Sequence, residues 1–324
     1  MTVVVFGIDA LDPEITERES HPHLTLSDSK KIETIVSSTG APSTHELWPT
    51  IFTGLRPPEH GLVLDDGVAW ESRALQVGSE LSNYLLPESI QTKLGAWLLD
   101  KTSEDAFRVP ATYYQKNRIS TVFDGIEAAV IGVPNYVIDP ESEDREHQLR
   151  RQMGELFKRD PEGGGRHTSE NAEEFYEQCI EMVMIRTARV RRAVRSRQSE
   201  LVFGYTSGLD LIGHVSHNRP ELQRRAYEET DQFVSELLSD ITKDDVLVLI
   251  SDHGLQDGLH TDEAMIASTD PELITGVSDV TDVREAIETE LTDGDHSAGS
   301  RWNTQETTEM DGQVAEQLED LGYM

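Results

Sequence analysis

The sequence of 324 residues predicts a three-layer α/β fold, with a largely parallel sheet between two layers of helices. Apolar, β-branched segments without polar alternation recur along the chain, as expected for strands buried on both faces. Segments with helical periodicity separate them, and this alternation is typical of parallel sheets. The hydrophobic fraction of 36% is sufficient for a buried core at this chain length.

The predicted strands are apolar segments that end at glycine, proline or polar residues. They cover residues 2–9, 31–40, 128–134, 200–206 and 244–254. The predicted helices cover residues 45–54, 168–198, 220–240, 281–292 and, at the end of the chain, 313–324. In such sheets, ligands bind beyond the carboxyl ends of the strands. Polar residues that follow predicted strands are therefore the first candidates for a functional site.

The chain is predicted to form one domain over residues 1–324. Residues 66–118 contain apolar positions without a strong period. Residues 135–170 include all but the last residue of the polar, glycine-rich stretch DPEGGGRHTSEN, residues 160–171. Both segments are predicted to be peripheral insertions that form a small cap or lid, where we expect the residues that select the substrate.

The composition is strongly acidic, with 61 Asp and Glu against 28 Lys and Arg and a net charge of −33. Such a chain repels phosphate backbones and anionic membranes, which argues against nucleic-acid or membrane partners. High charge can also indicate disorder, but the well-formed apolar segments favour a folded protein with a hydrated, acidic surface. At molar salt the Debye length falls to about 3 Å, so this surface suits a salt-rich cytoplasm.

The single cysteine, Cys179, excludes an intrachain disulfide and is compatible with a reducing compartment. The first residues form a predicted strand without a basic segment before it, so no signal peptide is expected. No apolar segment approaches the roughly 20 residues that span a bilayer. From these features we expect a soluble, cytoplasmic protein.

Several predicted strands end in carboxylate or imidazole residues. Asp9 follows VVVFGI, Asp252 and His253 follow VLVLIS, and His260 comes seven residues after His253. Mixed oxygen and imidazole ligands suit Zn²⁺, and also Mn²⁺ or Fe²⁺. An aspartate after a strand is more often a turn or cap residue, so each signal is weak when taken alone.

The segment GLDLIGHVSHNRP places Asp210 and His214 four residues apart, shortly after a predicted strand. On a helix this spacing brings both side chains to one face, where they could bind the same metal ion. The alternative is an exposed helix pair that contributes a few tenths of a kcal/mol.

The segment APSTHELWPTIFTGLRPPEHGL, residues 41–62, delivers Ser43 and Thr44 to the start of a predicted helix. A hydroxyl at this position is by default a helix cap. The free N–H groups and partial positive charge of a helix start would equally stabilise an alkoxide nucleophile and an oxyanion.

The motifs FGIDALDP, STHELWPTIFTGLRPPEHG, GLDLIGH, SDHG and LHT, in this order, resemble the alkaline phosphatase superfamily. The most similar branch is the type I phosphodiesterase/nucleotide pyrophosphatase group, and the motifs span residues 3–260. The ending QVAEQLEDLGYM is similar to that of archaeal members, which together with the acidic composition suggests a halophilic archaeal protein. The resemblance implies an alkaline-phosphatase-like fold.

The resemblance also implies roles by position. The nucleophile stands four residues before the tryptophan of the family pattern, which is Thr44 before Trp48. Two divalent metal ions are implied, Zn²⁺ first and Mn²⁺ or Fe²⁺ as alternatives. The first metal ligands would be Asp9, Thr44, Asp252 and His253, and the second would be Asp210, His214 and His260. His260 precedes TDEAMIAST, which resembles the strand after this ligand in relatives, and His296 is the reserve.

The implied activity is hydrolysis of a small phosphate ester, most readily a diester, through a phospho-threonine intermediate. Glu46 and Leu47 depart from the family pattern, because relatives often have proline at the first position and nucleotide pyrophosphatases have asparagine at the second. Thr44 and Trp48 do not fit a sulfatase. The alternatives are a phosphomonoesterase or phosphotransferase of the same superfamily, or a catalytically silent relative that binds a phosphorylated ligand. His60 is expected to shape the loop after the helix.

Overall fold

The structure, a computed structural model, describes residues 1–38, 40–63, 108–139, 156–159 and 166–293, together with Leu149 and Met153. The strands in these ranges are β1 (Val3–Ile8), β2 (Asp28–Glu33), β3 (Ala128–Ile131), β4 (Lys158–Arg159), β5 (His167–Thr168), β6 (Leu201–Thr206), β7 (Val246–Ile250), β8 (Gly254–Gln256), β9 (Leu259–Thr261) and β10 (Glu263–Ser268). The helices are α1 (Pro13–Arg18), α2 (Pro22–Thr25), α3 (Thr44–Thr53), α4 (Pro57–His60), α5 (Thr112–Asn117), α6 (Ala172–Ser196), α7 (Gly208–Val215), α8 (Pro220–Leu238), α9 (Pro271–Thr275) and α10 (Val283–Asp293).

The central sheet has six strands in the order β2–β10–β7–β1–β6–β3. β1 pairs in parallel with β6 and β7, and β3 pairs in parallel with β6. β10 is antiparallel to both of its neighbours, so it alone among these six runs against the others. The predicted α/β class with a largely parallel sheet is confirmed. β4–β5 and β8–β9 form two separate hairpins.

Successive residues of β1 contribute their side chains to two different hydrophobic cores, one on each face of the sheet. Val4 and Phe6 pack in a core with residues of α6, α7 and α8, whereas Val3 and Val5 pack in a core with residues of α3, α9 and α10. Because both faces of the strand are covered, no polar residue alternates with the apolar ones. This pattern is the physical origin of the three layers and of the sequence signal that predicted them.

The first sheet strand after β1 differs from its prediction. A strand was expected at residues 31–40, but β2 starts at Asp28 and ends at Glu33. Glu33 is opposite Glu263, the first residue of β10, so the ladder ends where its partner begins. The apolar residues that follow, including Val36, belong to the loop that leads to Thr44. An edge strand has one hydrogen-bonded neighbour, and its length depends on that neighbour.

The proposed insertions at 66–118 and 135–170 lie mostly outside the described residues, as does the predicted helix at 313–324. In the described part of the first segment, Tyr114 of α5 is buried and packs edge-on against Phe52 of α3, with ring centroids 5.3 Å apart. The second segment contributes the β4–β5 hairpin. A search of the described residues finds no helix that is both long and apolar enough to cross a membrane.

Candidate active site

The carboxyl edge of the sheet gathers the residues that the sequence analysis singled out. Asp9 directly follows β1, and Asp252 and His253 follow β7. Thr44 is the first residue of α3. The others lie on α7 and β9, and they are Asp210, His214 and His260. The structure brings their ligand atoms into two groups, each compact enough to surround one metal ion.

The first group surrounds the hydroxyl of Thr44. Thr44 Oγ1 lies 3.3 Å from Asp9 Oδ2 and 3.3 Å from His253 Nε2. His253 Nε2 in turn lies 3.5 Å from Asp9 Oδ1 and 3.4 Å from Asp252 Oδ2. Asp9, Asp252 and His253 are fully buried, whereas Thr44 is only half-buried. The hydroxyl is therefore the accessible side of this group.

The second group centres on one carboxylate oxygen. Asp210 Oδ1 lies 3.3 Å from His214 Nε2 and 3.3 Å from His260 Nε2. The two imidazole nitrogens are 3.0 Å apart. These side chains are 13–19% exposed, so solvent reaches this group more easily than the first.

The two groups form one continuous site. The rings of His253 and His260 stack, with centroids 3.8 Å apart and planes inclined by 21°. His260 Nδ1 lies 2.9 Å from the carbonyl oxygen of Pro42, two residues before Thr44. The segment from Pro42 to Thr44 thus contacts both groups: Pro42 contacts His260 of the second group, and Thr44 contacts the first.

Burial dominates the ionisation of the first group. It raises the pKa of Asp9 well above its usual range, and the neighbouring charges of Asp252 and Asp210 raise it further. It also raises the pKa of Asp252 to about 6. Burial, followed by the charge of His260, lowers the pKa of His253 to about 4. Burial thus outweighs the opposing charges of His253 and His260, so the described residues compensate these carboxylates only in part.

The second group ionises in the opposite sense. Burial alone would raise the pKa of Asp210, but the charges and hydrogen bonds of His214 and His260 hold it well below its usual range. Burial alone would lower the pKa of both imidazoles. The interaction with Asp210 outweighs it, raising the pKa of His214 and that of His260 to about 9. Protons on the imidazoles neutralise this group when no cation is bound.

The donor chemistry of both groups fits a cation. Three imidazoles hold Nδ1 within 3.1 Å of a backbone carbonyl oxygen: His253 at Gly254, His214 at Gly258 and His260 at Pro42. A carbonyl only accepts, so each Nδ1 carries the hydrogen and each neutral ring turns its Nε2 lone pair toward the carboxylates. Within the part of the chain that the structure describes, both oxygens of buried Asp252 have no hydrogen-bond donor. A divalent cation would relieve this concentration of lone pairs and negative charge.

Glycine in GLDLIGH has a packing role. A Cβ on Gly213 would lie 2.6 Å from Leu255 Cδ2, closer than side chains approach. Because Gly213 has no Cβ, α7 can pack closely on β8. This packing brings His214 Nδ1 to 3.0 Å from Gly258 O in the β8–β9 turn. Because β9 carries His260, the glycine helps to bring the two histidines together.

Tyr205 is a site residue that the sequence analysis missed. Its hydroxyl donates a hydrogen bond of 2.5 Å to Asp9 Oδ2. Its ring packs edge-on against Trp48 at 4.9 Å, and Trp48 occupies space that a Cβ on Gly7 would enter. In LVFGYT the tyrosine looks like another buried strand residue. Its role depends on the register that pairs it with Gly7, two residues before Asp9, and one sequence does not specify that register.

His60 belongs to neither group. It is fully buried, and burial lowers its pKa to about 4. Its Nδ1 accepts from the Leu62 N–H at 3.2 Å, so Nε2 donates to Thr50 Oγ1 at 3.1 Å, which links the turn after α4 to α3. Leu47 is also fully buried and offers no polar group. The reserve ligand His296 lies outside the described residues.

Comparison with known protein families gives a match to the family model described as type I phosphodiesterase / nucleotide pyrophosphatase, over residues 3–292. The class of protein is therefore a hydrolase of phosphoric ester bonds. Within that class, the chain belongs to the type I phosphodiesterase / nucleotide pyrophosphatase family. None of the curated proteins compared with it is a significant match.

Solved structures similar to this chain include the PH0037 protein from Pyrococcus horikoshii, with 12% identity, a TM-score of 0.43, and coverage of 90% of this chain and 97% of that one. Alkaline phosphatase from the Antarctic bacterium TAB5 has 12% identity and a TM-score of 0.43, with 91% and 98% covered. Murine ectonucleotide pyrophosphatase/phosphodiesterase 5 has 14% identity and a TM-score of 0.40, with 78% and 57% covered.

Proposed function

We propose that the protein is a metal-dependent phosphodiesterase that hydrolyses a small phosphate ester through a phospho-Thr44 intermediate. The observation that carries the proposal is the position of Thr44 Oγ1, 3.3 Å from both Asp9 and His253 at the start of a helix. A second carboxylate–imidazole group lies beside it, linked by stacked His253 and His260. A hydroxyl that contacts one such group, with a second group beside it, suits an in-line attack on phosphorus.

The proposed ligands divide as the two groups do. Asp9, Thr44, Asp252 and His253 would hold one divalent cation, and Asp210, His214 and His260 would hold the other. Bound there, two divalent cations supply a lowered hydroxyl pKa and neutralise charge on the phosphoryl oxygens. Imidazole and carboxylate ligands favour Zn²⁺, with Mn²⁺ or Fe²⁺ as alternatives. The nearly closed first group and the more exposed second group would then bind nucleophile and leaving group respectively.

Thr44 performs the covalent chemistry. In the first step the Thr44 hydroxyl loses its proton as a bond forms between its Oγ1 and phosphorus, the bond from phosphorus to the alcohol oxygen breaks, and the departing alcohol takes up one proton in exchange. In the second step a water oxygen bonds to phosphorus, the bond to Thr44 breaks, and the threonine hydroxyl recovers a proton. The partial positive charge at the start of α3 stabilises the oxyanion in both steps.

Leu47 bears on the class of substrate. Relatives that cleave nucleotide pyrophosphates carry an asparagine three residues after the nucleophile, and this buried leucine cannot replace its amide. We therefore propose a diester other than a nucleotide pyrophosphate. The same observation leaves phosphomonoesterase or phosphotransferase activity as the second candidate.

The acidic composition supports a proposed working environment. A net charge of −33 destabilises a compact chain by self-repulsion unless salt screens it. Cys179, the single cysteine of the chain, is buried. We propose that the enzyme works in the salt-rich cytoplasm of a halophilic archaeon, and that its activity rises with KCl concentration.

A substrate panel tests the proposed class. Protein stripped with a chelator and reloaded with Zn²⁺, Mn²⁺ or Mg²⁺ is assayed in molar KCl with bis-p-nitrophenyl phosphate and p-nitrophenyl phosphate. Faster hydrolysis of the diester supports the proposal. Faster hydrolysis of the monoester, or transfer of phosphate to an added alcohol, supports the second candidate. Absence of both metal binding and hydrolysis indicates a silent relative.

Thr44→Ala tests the nucleophile. We expect a loss of activity of about a thousandfold or more, because alanine offers no oxygen at the position of the proposed attacking atom. Acid-quenched wild-type enzyme should carry phosphate on Thr44, detectable by mass spectrometry. The matched control is Ser43→Ala, which removes a neighbouring hydroxyl that makes no capping hydrogen bond and should leave activity nearly unchanged. A fully active Thr44→Ala enzyme would contradict the mechanism.

A further inference from the structure

Helix α3, which carries Thr44 at its start, contains an internal proline. Pro49 lacks the N–H that would donate to the carbonyl oxygen of His45, four residues earlier in the helix. The carbonyl directly after Thr44 therefore loses its partner within the helix. Buried carbonyl groups are almost always paired, so a donor from elsewhere is expected at this position.

Asn135 supplies that donor from another part of the chain. Its Nδ2 lies 2.8 Å from His45 O and 2.9 Å from His45 Nδ1. Because a carbonyl can only accept, the amide atom beside it must be the NH₂ group, which settles the orientation of the side chain. The same NH₂ group then donates to His45 Nδ1, so one amide holds both the backbone and the ring of the residue next to Thr44.

The backbone around Asn135 is itself firmly held. Asn135 follows β3, is completely buried, and has a left-handed conformation with φ of +58°. Its carbonyl oxygen accepts a hydrogen bond of 2.7 Å from the hydroxyl of Tyr114. Its Oδ1 is buried without a hydrogen-bond partner among the described residues, a cost that the two Nδ2 contacts offset.

We propose that Asn135 is a positioning residue for the reaction, and that it fixes Thr44 by replacing the helix hydrogen bond that Pro49 removes. The inference rests on the proposed role of Thr44. Thr44 Oγ1 lies 3.3 Å from both Asp9 and His253, and it depends on the first turn of α3 for this position. Without the hydrogen bond from Asn135 Nδ2 to His45 O, this turn would be held less firmly and the hydroxyl could move away from both.

The decisive experiment is a double-mutant cycle between Asn135→Gly and Pro49→Ala. Glycine keeps the left-handed backbone without strain, so Asn135→Gly removes the amide alone. We expect kcat to fall about tenfold or more with KM changed less than twofold, because a small displacement of a reacting group is costly. Pro49→Ala restores an N–H that can donate to His45 O. In that background the same substitution should lower kcat by about threefold or less.

The matched control is Arg118→Gly. Arg118 ends α5, has the same left-handed backbone as Asn135 but is exposed, and its replacement should leave kcat unchanged. Equal losses for Asn135→Gly in both backgrounds would overturn the proposal, because they would reflect the β3 turn rather than the His45 carbonyl. An unchanged kcat in Asn135→Gly would overturn it as well.

Amide hydrogen exchange gives a readout that does not depend on activity. In Asn135→Gly, exchange at the Leu47 and Trp48 amides in the first turns of α3 should accelerate, and Pro49→Ala should slow it again. If the glycine variant folds poorly, Asn135→Asp replaces it in this experiment, because a carboxylate cannot donate a hydrogen bond to the His45 carbonyl. Unchanged exchange overturns the proposal. If Thr44→Ala proves active while exchange behaves as expected, the proposed nucleophile fails and the contact between Asn135 and α3 stands.

Discussion

The two halves of the candidate site compensate their charge differently. The group of Asp9, Asp252 and His253 sits directly at strand ends and is fully buried. The group of Asp210 and His260, with His214, sits on a helix and a hairpin and is partly exposed. Burial raises the pKa of Asp252 to about 6 in the first group, whereas the imidazoles hold the pKa of Asp210 well below its usual range in the second.

In the proposed two-metal site, the first group would depend on a bound cation for its charge balance, whereas the second group can bind protons instead. In the first group, burial lowers the pKa of His253 to about 4, so its ring stays neutral and burial still outweighs what opposes it at Asp9 and Asp252. In the second, His260 has a pKa of about 9 and carries a proton at neutral pH. We therefore infer that cation removal harms the first group more, and that protons compete with the cation mainly at the second.

Matched carboxamide substitutions in metal-free protein are expected to give the largest difference in stability between the two groups. Asp210→Asn removes the carboxylate that both imidazoles share, and we expect it to destabilise the fold by about 3–5 kcal/mol. Asp252→Asn removes a carboxylate whose charged form is disfavoured by burial, and we expect it to stabilise the metal-free fold by on the order of 2 kcal/mol. Urea denaturation of chelator-treated protein in molar KCl measures both.

Metal-loaded protein is the control for this pair, because there both substitutions remove a proposed ligand and both should destabilise. Effects of the same sign in the metal-free protein would contradict the contrast between the groups. Unchanged metal content in either variant, measured by elemental analysis, would count against the proposed ligands.

The pH dependence of metal-free stability is the next test. The folded-state pKa of His260, about 9, lies above its ordinary value of 6.5, so the folded state binds more protons between these values. This contribution is fully present below about pH 6.5 and is lost as pH rises through 9. We expect metal-free protein to lose on the order of 2 kcal/mol of stability over this range, after allowance for screening at a partly exposed group.

Thermal or urea unfolding at pH 6.5, 8 and 9.5 measures this loss. Asp210→Asn should abolish the dependence, because it removes the partner that raises the pKa of His260. Metal-loaded protein should show the opposite trend over the lower part of the range, since a cation must displace the imidazole protons. A metal-free protein whose stability is flat or rising from pH 6.5 to 9 would refute the expected protonation of the second group.

The fold and most of the site could be predicted because their signals are local. Strands such as β1 are uniformly apolar, and Asp9 and Asp252 follow their strands directly in the sequence. Asp210 and His214 lie four residues apart on one short helix. The carboxyl ends of parallel strands meet at one edge, so these residues are brought together by topology alone.

The remaining features depend on contacts between distant segments. The end of β2 is set by the start of β10, and Tyr205 reaches Asp9 only through the register of β1 and β6. Asn135 lies 90 residues from His45 in the sequence. Its Nδ2 donates to the His45 carbonyl oxygen, to which Pro49 cannot donate. The sequence shows that Pro49 cannot donate to the His45 carbonyl, but it does not identify the residue that donates instead.

Tyr205→Phe gives the smallest expected effect and tests how the first group is held. The substitution removes the hydrogen bond of 2.5 Å to Asp9 Oδ2 while keeping the ring that packs on Trp48. We expect the affinity of the first group for Zn²⁺ to fall about tenfold, as for other groups that orient metal ligands. The matched control is Tyr227→Phe, whose buried hydroxyl instead accepts from the Asp12 N–H at 2.8 Å. Both should lose about 1 kcal/mol of stability, but only Tyr205→Phe should weaken metal binding in a competition titration. Equal metal affinity in the two variants would mean that burial and the backbone, rather than the phenol, orient Asp9.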